Sequence, residues 1–293
     1  MSQRFAGWIA AVCCQLLLAQ VAIAAPSQHE QDCNPPSGWE TVAKAAEGRV
    51  LFVGEIHGNT ETPDAFARYV CAAAAQGGST LVLLELPPHH ASAMQDAMAS
   101  DDPRTALLAG LEPHWKTRDG RGSVAMLDMM TRLMLLAKTN PELSVEPFSL
   151  FLLKEFPTPE ETMAWAASLS PSEIQEQSEA GMAQEIRRRS AGYDRTIVLV
   201  GNVHAYQASQ EKSGVPSAAM RVPGALSLRV VHDGGESWIH GKEKYGVHSL
   251  TPLNPYSEPA NAIGMSERYE PYFSGFLSVG PISASPPALP EQD

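Results

Sequence analysis

The fold is decided by residues 50–58, whose sequence is Val50-Leu51-Phe52-Val53-Gly54-Glu55-Ile56-His57-Gly58. A second segment far along the chain repeats the same order of residue types, Ile197-Val198-Leu199-Val200-Gly201-Asn202-Val203-His204-Ala205. Each starts with an apolar run that is typical of a parallel strand buried on both faces. Each run reaches a glycine, which we expect to permit a sharp turn, and a histidine follows three residues later. The pattern predicts two histidines just beyond the carboxyl ends of parallel strands, where open α/β sheets bind ligands.

The surrounding elements predict an α/β fold with a mostly parallel central sheet flanked by helices. Residues 60–76 predict a helix that ends at a glycine pair, and residues 79–86 predict a second buried strand, which together with the first makes a βαβ unit. Residues 143–150 favour a third strand, although Pro147 weakens it. We expect the helical pattern within 89–190 to form a cap over the site. Residues 225–232 and 236–240 predict a hairpin at the sheet edge, joined by an Asp-Gly-Gly turn.

The beginning of the chain has the features of an export signal. Arg4 precedes an apolar stretch that ends at Ala22-Ile23-Ala24, which predicts a signal peptide over residues 1–24, and the alternative is a membrane anchor. Small residues follow the stretch and favour cleavage. We therefore expect a periplasmic or secreted protein without a stable membrane anchor. A flexible leader over 25–38, a single domain over 39–280 and a flexible tail over 281–293 complete the predicted organisation.

The charge balance limits the class of partner. The chain has 21 basic and 33 acidic residues, with no basic stripe. Nucleic acid and anionic membrane surfaces are therefore not expected partners, and a small-molecule or peptide substrate is. The run at 187–189 is most simply the solvated end of a helix.

Two cysteines remain after the predicted cleavage, Cys33 and Cys71. An even number of cysteines in an exported protein favours a disulfide. The alternative is a buried Cys71 on a helix and an unpaired Cys33.

Carboxylates accompany both histidines. Glu55 lies two residues before His57, and Asn202 lies two residues before His204. Glu85 lies at the end of the otherwise apolar second strand, where a carboxylate is costly to bury unless a cation or hydrogen-bond donors receive it. Two imidazoles with one or two carboxylates form a common ligand set for Mn, Fe, Co or Zn, and the bound water then needs a general base. We therefore predict His57, His204 and Glu85 as metal ligands, and Glu55, Glu85 and Asn202 as catalytic groups.

A second group of residues lies at 114–123. Trp115, Asp119 and Arg121 beside a tight turn predict a substrate-binding mouth, in which the planar fork of Arg121 suits a carboxylate. The alternative is an ordinary Asp-Gly turn in which Ser123 caps the next helix. Met126 and its neighbours at helical spacing are interpreted as core rather than as a cofactor site. His89 and His90 are candidates for the same mouth, and three further histidines are expected at the surface: His232, His240 and His248.

The paired Gly-x-x-His motifs resemble those of a superfamily that joins the Tiki/TraB proteins, the ChaN-like haem-binding uptake proteins and, more distantly, the erythromycin esterases. Residues 54–58 look like its first motif, residues 201–204 look like its second, and Glu85 takes the place of the acid that ends the second strand. The resemblance implies an α/β domain with a site above the sheet. It implies a metal-dependent peptidase in the Tiki branch, a haem protein that is often a homodimer in the ChaN branch, and histidine-assisted ester hydrolysis in the esterase branch.

The chain departs from two of these branches. The esterase motif has one more residue between its glutamate and its histidine than Glu55-Ile56-His57 does. The uptake proteins usually carry a lipid anchor, of which this sequence has no sign. The leading hypothesis is an exported metal-dependent hydrolase of peptides or small esters. The competing hypotheses are a haem- or cofactor-binding protein without turnover, which uses the aromatic mouth and the methionine-rich helix, and a scaffold whose histidines only brace the turns.

Overall fold

A computed structural model describes residues 33–149, 159–209, 214–241 and 244–289 of the chain. The predicted signal peptide lies outside the described residues, as does most of the predicted leader. Among the helices of the described residues, none has the length and apolar character needed to span a membrane.

The α-helices of the described residues all end before residue 191, and six of the strands follow them. The helices are α1 (Trp39–Ala45), α2 (Glu61–Ala75), α3 (Ala91–Ala99), α4 (Pro103–Gly110), α5 (Glu112–Trp115), α6 (Val124–Thr139), α7 (Pro159–Ala167) and α8 (Pro171–Ser190). The strands are β1 (Val50–Glu55), β2 (Thr80–Leu84), β3 (Leu143–Pro147), β4 (Arg195–Gly201), β5 (Leu226–Val231), β6 (Gly235–His240), β7 (Tyr245–Leu250), β8 (Ala262–Met265) and β9 (Gly275–Ser278). The segment Asn202–Ala205 forms a short 3₁₀ turn directly after β4.

The central sheet has seven strands in the order β3-β2-β4-β1-β5-β9-β8, and all neighbours are parallel except β8 and β9. β1 lies beside β4 with Gly54 opposite Val200 and Glu55 opposite Gly201. The two Gly-x-x-His segments therefore leave the sheet next to each other, with β2 on the far side of β4. This register brings the predicted site residues to one edge of the sheet.

Alternate residues of β1 point to opposite faces of the sheet, and both faces are covered. Leu51 and Val53 lie in a core cluster with the apolar sides of α2 and α6, whereas Phe52 lies in a second cluster with Met182 and Ile186 of α8. β1 is thus buried on both sides, which explains its uninterrupted apolar sequence. The helices within 89–190 that the sequence assigned to a cap divide between these two faces.

The predicted hairpin has different partners in the structure. β5 lies inside the main sheet, parallel to β1 and β9. β6 pairs instead with β7, antiparallel, in a separate two-stranded sheet. Gly234 and Gly235, both with positive φ, redirect the chain from one sheet to the other instead of closing a hairpin. The strands β8 and β9, beyond residue 250, have no counterpart in the sequence prediction.

Both ends of the described chain are attached to the fold. Cys33 forms a disulfide with Cys71 of α2, the pairing that the cysteine count favoured. At the other end, residues 282–289 lie within the segment expected to be a flexible tail, but they are hydrogen-bonded to the domain. The backbone N–H of Ser285 donates to Gly58 and that of Ala288 donates to Gly122, at 2.9 and 2.8 Å. This segment therefore holds together the two turns that approach the site.

Candidate functional site

Three side chains from three strand ends meet beside Gly201. A methyl group on the α-carbon of Gly201 would lie 3.2 Å from Nε2 of His57, 3.6 Å from Oε2 of Glu85 and 3.6 Å from Cδ2 of His204. The convergence follows from the sheet order, because β1, β4 and β2 are neighbours and end at the same edge. The structure thus places together the two histidines and the acid that the sequence singled out.

The two motif glycines provide space, and the turn does not require either of them. Gly201 has a φ of −55°, which any residue adopts. A side chain at Gly54 would approach the β-carbon of Ala205 and Oδ1 of Asn202 to 2.9 Å. The expectation that these glycines permit a sharp turn is therefore wrong. The absence of a side chain at Gly54 allows the 3₁₀ turn to pack against β1. The absence of a side chain at Gly201 allows His57, Glu85 and His204 to come together there.

His57 faces the buried carboxylate of Glu55. Its Nδ1 lies 3.1 Å from Oε1 of Glu55, an ion-pair distance whose angle falls outside that of a good hydrogen bond. Burial by itself lowers the pKa of His57, but the negative charges of Glu55 and Glu85 outweigh it and raise the pKa above its ordinary value. Nδ1 therefore faces Glu55, and Nε2 faces the position that a side chain at Gly201 would take.

His204 has its own carboxylate, which the sequence analysis missed. Nδ1 of His204 lies 2.8 Å from Oε1 of Glu179, whose side chain is 1% exposed. Burial opposes a charge on His204, yet Glu179 and Glu85 together raise its pKa above the ordinary value. Glu179 lies in the polar helix α8, where a glutamate is unremarkable. No signal in the sequence near residue 179 separates it from the other acids of that helix.

Glu85 is held by two donors. Oε1 accepts a hydrogen bond from Nη1 of Arg121 at 2.7 Å, and Oε2 accepts one from the backbone N–H of Gly201, also at 2.7 Å. Burial raises the pKa of Glu85, but the positive charges of His57, His204 and Arg121 lower it below the ordinary value. The cation and donors that the sequence argument required for a buried Glu85 are therefore present.

Arg121 is engaged on both sides. Besides Glu85, it contacts Asp119 through Nε at 2.9 Å and through Nη2 at 2.5 Å. Burial counts against ionisation of Asp119, but Arg121 lowers the pKa of Asp119 to about 2. Because both edges of the fork of Arg121 already meet carboxylates, its predicted role as the binder of a substrate carboxylate does not fit. It orders Glu85 instead.

The turn that carries Arg121 crosses directly over the first motif. Gly120 has a φ of +89°, and a side chain there would approach the backbone nitrogen of Gly58 to 2.7 Å. Ser123 caps α6, as the alternative interpretation expected, because its side chain accepts a hydrogen bond from the backbone N–H of Met126. The same short turn therefore begins α6 and delivers Arg121 to Glu85.

Trp115 does not line a mouth. Its side chain is fully buried, and its indole N–H donates to the carbonyl of Leu107 at 2.8 Å. The methionines of α6, among them Met126 and Met130, are also buried in the core, as expected. The aromatic and methionine surface that the haem hypothesis needed beside the site therefore faces the protein interior.

The other polar residues of the prediction lie around the site. Oδ1 of Asn202 is buried against Gly54 and has no hydrogen-bond partner in the described residues. His90 and His114 are buried neighbours with ring centroids 6.4 Å apart, whereas His89 is exposed. His232, expected at the surface, is 2% exposed, because it lies at the end of the internal strand β5 and accepts a hydrogen bond from the N–H of Gly234.

The donor set does not fit a resident metal ion. Within the described residues, no group of three or more His, Cys, Asp or Glu side chains is arranged to hold one. Glu85, the predicted carboxylate ligand, already accepts from Arg121 and from the N–H of Gly201, so that both of its oxygens are engaged.

Comparisons with solved structures show the fold. A protein from Bacillus cereus is similar over 90% of this chain and 95% of its own, with 12% identity and a TM-score of 0.61. A mutant of an erythromycin esterase, in its open conformation, is similar over 83% of this chain and 93% of its own, with 10% identity and a TM-score of 0.56. ChaN of Campylobacter jejuni, solved with cofacial haem, is similar over 65% of this chain and 85% of its own, with 15% identity and a TM-score of 0.38.

No protein-family model matches the sequence, and no curated protein matches it significantly. At such low identities the likeness defines the class of fold alone. That class is an α/β fold with a mostly parallel sheet, which this chain shares with the Bacillus cereus protein and the erythromycin esterase mutant.

Proposed function

We propose that this protein is a hydrolase of small carboxylic esters whose proton transfers are made by histidines and carboxylates. The observation that supports the proposal best is the meeting of His57, Glu85 and His204 at Gly201. Each histidine contacts a buried glutamate: Glu55 lies beside His57, and Glu179 lies beside His204. Side chains so arranged are poised for general acid–base catalysis.

His57 is suited to be the general base. Its Nε2 lies 3.2 Å from the position of a β-carbon at Gly201, and its side chain is 20% exposed, so we expect it to take a proton from a water that attacks the ester carbonyl. The imidazolium that forms is stabilised by Glu55 and Glu85, whose negative charges both act on His57. Arg121 and the N–H of Gly201 keep Glu85 ionised and fixed in place, so the site needs little rearrangement during the reaction.

An ester is a more suitable substrate than a peptide for such a site. Peptide hydrolysis by a histidine pair requires strong activation of a poor leaving group, which metallopeptidases obtain from a Lewis acid. The donor set here does not fit that role. One protein with the same fold is an erythromycin esterase, which is consistent with ester hydrolysis by this chain.

The test is hydrolysis of p-nitrophenyl butyrate, ethyl butyrate and erythromycin by the purified protein, with and without EDTA. We expect turnover of at least one ester, unchanged by EDTA and lost in His57→Ala. Loss of activity with EDTA and its recovery with Mn²⁺ or Zn²⁺ would support the metal-dependent hydrolase of the sequence hypothesis instead. Absence of turnover on all three esters would count against the proposal.

Haem binding without turnover is the competing proposal. The resemblance of the two Gly-x-x-His motifs to those of ChaN-like proteins suggests it, and the same resemblance implies a homodimer around the ligand. The burial of Trp115 removes the surface that supported it in this chain. A Soret band that saturates on haem titration, together with dimerisation and no ester turnover, is the result that favours it.

We also propose that the protein is exported to the periplasm or secreted. The disulfide between Cys33 and Cys71 supports this location, because such bonds persist in oxidising compartments. Fractionation of cells that express the full chain, with N-terminal sequencing of the product, tests both the compartment and the predicted cleavage after Ala24.

A further inference from the structure

Glu179 is the most deeply buried acid near the site, and it lies outside both motifs. It belongs to α8, which packs on the face of the sheet that carries Phe52 of β1 and Val198 of β4. One carboxylate oxygen, Oε1, meets Nδ1 of His204 at 2.8 Å. The other, Oε2, accepts the backbone N–H of Ala218 at 2.7 Å. Two fixed partners hold the carboxylate in a single orientation.

The orientation of His204 follows from this contact. A carboxylate only accepts, so the proton of the imidazole is held on Nδ1. The opposite edge of the ring, which carries Cδ2 and Nε2, then faces Gly201, and Cδ2 lies 3.6 Å from the β-carbon position there. Nε2 is therefore the nitrogen of His204 that is presented to a substrate beside His57.

We propose that Glu179 is the positioning residue of a second dyad, in which His204 acts as the general acid that protonates the leaving group. The inference deepens the proposed ester hydrolysis and rests on it. His57 removes a proton from water as the water oxygen bonds to the carbonyl carbon. When the carbon–oxygen bond of the intermediate breaks, its electron pair stays on the leaving oxygen, which takes the proton from Nε2 of His204. The acid and the alcohol leave, and the proton on His57 returns to His204 through solvent.

The charges around His204 suit its role as the acid. His204 lies between the carboxylates of Glu179 and Glu85, which favour its protonated form although burial opposes it. Glu55 and Glu85 also raise the pKa of His57 against the effect of burial, and the guanidinium of Arg121 opposes that rise. The reaction starts from a protonated His204 beside a neutral His57, so that one histidine gives a proton and the other takes one.

Two esters with different leaving groups test the inference. The p-nitrophenolate of p-nitrophenyl butyrate leaves without a proton, whereas the ethoxide of ethyl butyrate needs one. Glu179→Gln should lower kcat for ethyl butyrate about a hundredfold and change kcat for p-nitrophenyl butyrate only severalfold, with little change in KM. His57→Ala should lower both. Glu176→Gln, on the same helix at a partly exposed position bonded to Arg221, is the matched control and should change neither.

A readout that does not depend on turnover accompanies the kinetics. In the full-length protein, at a pH high enough to make His204 neutral, its ring ¹⁵N resonances should report the remaining proton on Nδ1, and Glu179→Ala should lose this preference. If Glu179→Gln does not fold, His204→Gln serves the same comparison of the two esters. An equal loss of kcat for both esters, or an unchanged tautomer in Glu179→Ala, overturns the inference while ester hydrolysis stands. Failure of the wild type on every ester overturns the proposed function and the role of the dyad in it.

Discussion

Acid should destabilise this protein in part through a buried histidine, His114. His114 is only 6% exposed, and its Nε2 has no hydrogen-bond partner in the described residues. Burial, and then the positive charge of Arg121, lower the pKa of His114 to about 4 from 6.5. Asp119 opposes this shift, and His90 adds to it. The folded protein therefore keeps His114 neutral in a range where the unfolded chain protonates it.

The sign and size of the effect follow from linkage. Between pH 6.5 and about 4 the unfolded state binds more protons at this position, so stability falls as the pH falls through that window. At about 1.4 kcal/mol for each pKa unit, the full shift corresponds to roughly 3 kcal/mol of unfolding free energy. The contribution is fully present above pH 6.5 and is lost near pH 4.

The assay is urea denaturation of the wild type and of His114→Gln across this pH window. Glutamine keeps an N–H donor but takes up no proton, so the variant should have a shallower fall in unfolding free energy toward acid, by up to about 1.4 kcal/mol per pH unit. The slope is informative even if the variant is less stable at neutral pH. His240→Gln, at an exposed histidine, is the control and should keep the wild-type slope. Parallel curves for the wild type and His114→Gln would refute the reasoning.

Three further predictions concern the site and its frame. Gly201→Ala should fold normally, because the φ of −55° at this position suits alanine. The added methyl group would lie 3.2 Å from Nε2 of His57, so ester turnover should fall at least tenfold. An unaffected kcat would contradict the position of the site. Arg121→Gln should lower the unfolding free energy by about 3 kcal/mol, because Glu85 is left buried without its cation. Adding Glu85→Gln should restore part of the loss. Equal stability of Arg121→Gln and the wild type in urea would argue against this ion pair. Cys33→Ala removes the disulfide that closes a loop of 38 residues. It should lower the unfolding free energy by up to about 4 kcal/mol in the chain-entropy model. A reducing agent should lower the unfolding free energy of the wild type and leave that of the variant unchanged.

Strand patterns were the most predictable part of the fold. β1, β2 and β4 are buried on both faces, so their apolar runs are continuous and visible in the sequence. β8 and β9 were missed, because they are four residues each and lie among prolines and polar turns. The partner of β6 was wrong for a related reason. Adjacent segments with a turn between them usually pair, but here a pair of glycines with positive φ sends the second segment to another sheet.

The sequence by itself determined that His57, His204 and Glu85 would lie at the carboxyl edge of a parallel sheet. That outcome depends on local patterns and on the common direction of parallel strands. The sequence did not determine what each of these groups would contact there. Only the tertiary structure decided that a guanidinium meets Glu85 and that Glu179 meets His204, because those partners come from distant segments whose approach depends on packing of the whole chain.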